Sequence, residues 1–76
     1  MKKGYKKYYA DCYNFNNLQS LRNVMDYTFY VSCMRWCGNW NGLNWERLSF
    51  YCSPETMNLI QRFCDNEELK ITISEN

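Results

Sequence analysis

The 76-residue chain has no histidine, a single proline and only three glycines. Without histidine it lacks the commonest general base and the commonest nitrogen ligand for metals. Its cysteines also lack the partner that usually generates a thiolate nucleophile. The glycines stand apart at positions 4, 38 and 42, so there is no glycine-rich phosphate loop. Asn, Arg or Ser interrupts the longest apolar stretches, and nothing approaches the roughly 20 residues that span a bilayer. Met1–Lys7 is basic like the start of a secretion leader, but no apolar segment follows, so no signal peptide is expected.

What is present describes a folded domain. The chain is 46% hydrophobic, 18% aromatic and 22% charged, far from the polar composition of disorder. Its length is that of one domain, close to the smallest that fold without staples. Five cysteines make an odd set, unlike a disulfide scaffold. Cys12, Cys33, Cys52 and Cys64 fall inside apolar patterns, where free cysteine acts as a small core residue; Cys37 is the expected exposed thiol. A reducing, cytoplasmic setting follows. The net charge of +1 conceals an asymmetry: residues 1–50 hold seven Lys/Arg against three Asp/Glu, and residues 51–76 hold two against five. Neither half is as basic as a dedicated duplex-DNA binder.

Six elements are legible. Tyr5–Tyr13 alternates in the strand period, with Tyr8, Ala10 and Cys12 on one side. Asn16 or Asn17 caps a helix carrying Leu18, Leu21, Val24 and Met25. Thr28–Cys37 alternates again, and Asn41-Gly42 is a hairpin turn of type I′, returning as Leu43–Cys52. Pairing Trp40 with Leu43 sets Cys33 opposite Phe50 and leaves Arg35 opposite Leu48 as a misfit. Ser53-Pro54-Glu55 starts a second helix, and Leu69, Ile71 and Ile73 form a last strand. The order βαββαβ predicts an α+β, ferredoxin-like sandwich: a four-stranded antiparallel sheet with two helices on one face. The expected core is Tyr8, Ala10, Cys12, Leu18, Leu21, Met25, Phe29, Val31, Cys33, Leu48, Phe50, Cys52, Leu59, Ile60, Phe63, Ile71 and Ile73.

No catalytic, cofactor or metal set emerges. Cys33 and Cys37 on an extended strand put their sulfurs about 13 Å apart, too far to share a tetrahedral metal. The informative feature is the sheet face away from the helices. Period two places Tyr9, Tyr13, Tyr30, Met34, Trp36 and Tyr51 there, with Trp45 beside them and Lys7, Arg47 and Lys70 around them. Exposed aromatic patches mark interaction sites, and Tyr, Trp, Met and Arg are enriched in interface cores. The expectation is a non-enzymatic module that binds another protein or a second copy of itself through Tyr9, Tyr13, Tyr30, Met34, Trp36, Arg47 and Tyr51, with Arg35, Arg47 and Lys7 setting orientation from the rim. Single-stranded nucleic acid, stacked on the same rings, is the second reading. The wealth of Asn, Lys and Tyr suggests an AT-rich bacterial or phage genome, where such compact domains often act as inhibitors by occupying a partner's surface.

Overall fold

The computed structural model describes residues 3–40 and 45–76. Its elements follow the expected order: β1 (Lys6–Cys12), α1 (Phe15–Tyr27), β2 (Ser32–Trp40), β3 (Trp45–Cys52), α2 (Pro54–Asn66) and β4 (Thr72–Glu75). The strands form one antiparallel sheet in the order β2-β3-β1-β4. Together with the two helices this is the ferredoxin-like α+β arrangement. Among the described residues no helix is long and apolar enough to cross a membrane.

Local chemistry explains where α1, α2 and β4 begin. Asn14, two residues earlier than expected, caps α1, its side chain accepting from the Asn16 amide at 2.9 Å. Ser53 caps α2 by accepting from the Thr56 amide at 3.2 Å, with Pro54 opening the helix and Glu55 in its first turn. Strand β4 starts only at Thr72 because Glu68 and Lys70 take left-handed conformations (φ 52° and 55°) on either side of buried Leu69.

Both helices pack on the same side of the sheet. Leu18, Leu21 and Met25 of α1 and Met57, Ile60 and Cys64 of α2 meet Tyr8, Ala10, Cys12, Leu48, Phe50 and Cys52. Tyr8 stacks on Phe50, its partner across β1 and β3, with ring centres 6.0 Å apart. Removing a side chain such as Phe50 from water stabilises the fold by about 2–3 kcal/mol. Two residues expected in the core lie outside it: Cys33 is exposed and Leu59 is half exposed. Phe29, Val31, Phe63 and Ile73 are only partly buried at its margin.

The β2–β3 register differs from the expected one. Ser32 faces Tyr51, which fits a register pairing Trp40 with Leu43, but Arg35 faces Ser49, Trp36 faces Leu48 and Trp40 faces Trp45. Two irregularities, between Ser32 and Arg35 and between Trp36 and Gly38, each shift the pairing by one residue. They coincide with left-handed backbone at Cys33 (φ 54°) and Gly38 (φ 76°), the local geometry of a bulge. The first removes the misfit seen in sequence. Arg35 turns to the open face, and Trp36 meets buried Leu48 on the helix side. The Asn41-Gly42 turn lies outside the described residues.

Candidate functional site

The uncovered face of the sheet is built in rows across the strands. Ser32, Tyr51 and Lys7 form one row, and Arg35, Ser49, Tyr9 and Ser74 the next. A third carries Gly38, Arg47, Asp11 and Thr72. Beyond it Tyr13 meets the edge of the Trp45 ring, 6.2 Å between centres.

One bidentate ion pair holds the middle of this surface. Arg47 donates from Nε to Asp11 Oδ1 at 2.7 Å and from a terminal nitrogen to Oδ2 at 2.9 Å. The Asp11 side chain is 8% exposed and that of Arg47 19%, so the pair is largely withdrawn from water although no helix covers it. The hydrogen bond to Asp11 pushes the guanidinium pKa above its usual value. The Arg47 carbon lies 4.2 Å from the centre of the Tyr9 ring, close enough for cation–π attraction. Lys7 Nζ sits 5.3 Å from the Tyr9 centre and 6.0 Å from the Tyr51 centre. The result is a connected layer running Asp11, Arg47, Tyr9, Lys7, Tyr51. Ser49 is buried beneath it, its hydroxyl directed at the Arg35 carbonyl.

Of the residues expected on this face, Tyr9, Arg47 and Tyr51 come together in the layer, and Tyr13 stands at its end. Three do not. Met34 packs against the core, because the bulge at Cys33 reverses the facing of the residues after it. Trp36 is reversed in the same way and lies 5.1 Å from Phe15 at the start of α1. Tyr30 is 78% exposed in the connection before β2 and belongs to no strand. Lys70, expected at the rim, instead lines a cavity of about 320 Å³ with Cys64, Asp65, Glu68 and Ile71.

Asp11 was not among the expected site residues, and Arg35 was expected only at the rim. Asp11 would have emerged from pairing β1 with β3, since its parity matches that of an opposite charge on the neighbouring strand. Arg35 would have emerged from taking its misfit opposite Leu48 as the sign of a bulge.

The thiols divide by burial. Cys12, Cys52 and Cys64 are buried, while Cys33 and Cys37 are exposed on the edge strand β2. Loss of water raises the pKa of Cys12, and pushes Cys52 and Cys64 up to about 11. At neutral pH these three are protonated and inert. Among the described residues no three His, Cys, Asp or Glu side chains are grouped to hold a metal ion. Comparison with protein-family models, with curated proteins and with solved structures finds no match for this chain.

Proposed function

We propose that this domain is a non-enzymatic binding module whose open sheet face docks against another protein. The observation that carries the reading is the ordered layer of Tyr9 and Tyr51 with Lys7 and Arg47 on the face that neither helix covers. Aromatic rings and arginine in a fixed arrangement are the usual anchors of protein interfaces. Here the side chains are already held by one another, so docking orders few new rotamers. A domain of this kind acts by occupying its partner's surface, as a phage or mobile-element inhibitor does. The two exposed, unpaired thiols suit a reducing compartment such as the cytoplasm.

Single-stranded nucleic acid is the weaker reading. A base stacking on Tyr9 would compete with the guanidinium 4.2 Å from the ring centre. The Asp11 carboxylate beside it repels phosphate and neutralises the cation that phosphate would seek.

The experiment is affinity capture with wild type and with a folded Tyr9→Ala, Tyr51→Ala variant, followed by reconstitution from purified components. A protein that binds the wild type and is lost with the variant supports the reading. Equal binding to both contradicts it.

A further inference from the structure

From its charge distribution we infer that the open sheet face takes an acidic protein surface, one that presents carboxylates among aromatic or apolar side chains. This rests on the docking reading above and adds the chemistry of the partner.

Among the described residues the face carries Lys7, Arg35 and Arg47 against the single carboxylate of Asp11, a surplus of two positive charges. The other described residues hold five Lys/Arg against seven Asp/Glu, a deficit of two. Charge is therefore segregated, with the positive side where no helix lies. Arg47 is committed to Asp11 by two hydrogen bonds. Lys7 and Arg35 have no carboxylate partner among the described residues. They flank β3 from opposite sides, Lys7 across from Tyr51 and Arg35 across from Ser49. The site thus offers an aromatic centre between two uncompensated cations.

A second copy of the chain is a poor occupant. An isologous contact would bring two positive faces together, and like charges across an interface disfavour association. An acidic surface gains at both cations and is steered toward them before contact. Two uncompensated cations are also few for nucleic acid, whose binding draws on many phosphate contacts.

The test uses the full chain, labelled with nitrogen-15, titrated separately with a random copolymer of Glu and Tyr, with poly-L-lysine, and with oligo(dT). The copolymer is expected to bind and to shift the amide signals of Lys7, Tyr9, Arg35 and Tyr51. Lys7→Glu with Arg35→Glu is expected to weaken that binding at least tenfold, and the Lys7→Gln, Arg35→Gln variant is expected to fall between. Neither side chain has a carboxylate partner to lose among the described residues, and intact spectra establish that the variants fold. The inference is overturned if poly-L-lysine binds as well as the copolymer or if charge reversal leaves copolymer affinity unchanged. It is equally overturned if oligo(dT) binds more tightly through the same residues, or if the free chain dimerises through this face. If none of the polymers binds yet the Tyr9→Ala, Tyr51→Ala variant loses a captured protein, the docking reading survives and the acidic partner does not.

Discussion

Asp11 and Arg47 face one another across the two central strands, joined fork to fork at 2.7 and 2.9 Å on the side of the sheet that the helices leave bare. A surface pair of this kind usually contributes little, since water screens it and two long side chains must be ordered. Here Asp11 is 5% exposed, and Tyr9 lies against the guanidinium. The pair therefore behaves as a partly buried one, in which a carboxylate left alone is costly. It also fixes the Tyr9 ring, and so links the stability of the sheet to the shape of the proposed docking surface.

The two ends of this pair are not equivalent. Arg47→Ala leaves a buried carboxylate without its partner and is expected to cost about 3 kcal/mol. Asp11→Ala frees a longer side chain that can reach solvent, and is expected to cost roughly half as much, about 1–2 kcal/mol. Arg47→Lys restores the charge without the two-pronged geometry and is expected to rescue only in part. Urea denaturation of the three variants checks the order. Equal losses for Arg47→Ala and Asp11→Ala would mean that the pair is solvated.

The bulges in β2 make a backbone prediction. Gly38 has φ +76° with nothing within 4 Å of an added Cβ, so Gly38→Ala meets strain rather than collision. The expected loss is about 1 kcal/mol. Cys33 already has a side chain at φ 54°, and Cys33→Gly is expected to be close to neutral because relief of strain offsets the added freedom of the unfolded chain. Thermal melting of both variants checks this. A harmless Gly38→Ala would place the second bulge elsewhere.

Thiol chemistry follows burial. Two thiols, Cys33 and Cys37, are expected to react at once with a disulfide reagent, while Cys12, Cys52 and Cys64 wait for unfolding. Cys52 and Cys64 rise from an ordinary value of 9.0 to about 11. Between those values the folded chain keeps protons that the unfolded chain has released. The contribution is complete below pH 9 and is lost as pH rises toward 11, by up to about 1.4 kcal/mol per pH unit for each thiol. Denaturation midpoints measured across that window are expected to fall steadily. A flat profile would contradict burial of these sulfurs.

Much of the fold was legible because patterning and capping agree with one another. The alternation through Tyr8, Ala10 and Cys12 and the Ser53-Pro54-Glu55 start both name their elements without reference to anything distant. The site was less legible, for a local reason with non-local effect. A bulge cannot be read from side-chain period, and the extra residue at Cys33 turns the side chains that follow it in β2 to the other face until the second irregularity before Gly38. That is why Tyr9, Arg47 and Tyr51 on the unbroken central strands fall where alternation puts them, while Met34 and Trp36 do not. The Asp11–Arg47 pair depends on the pairing of strands far apart in sequence, which neither hairpin nor periodicity reveals.

The most direct measurement compares Tyr51→Ala with Trp36→Ala in binding a reconstituted partner by calorimetry, each variant first shown to be folded. Tyr51 lies on the open face beside Lys7, and Trp36 on the helix side against Phe15. If the open face is the docking surface, Tyr51→Ala weakens binding by about 2 kcal/mol or more, a loss of roughly thirtyfold. Trp36→Ala then lowers stability while affinity stays within about threefold, or under 1 kcal/mol. The opposite result, with affinity lost at Trp36 and kept at Tyr51, would contradict the account and move the interface to the edge formed by β2 and α1.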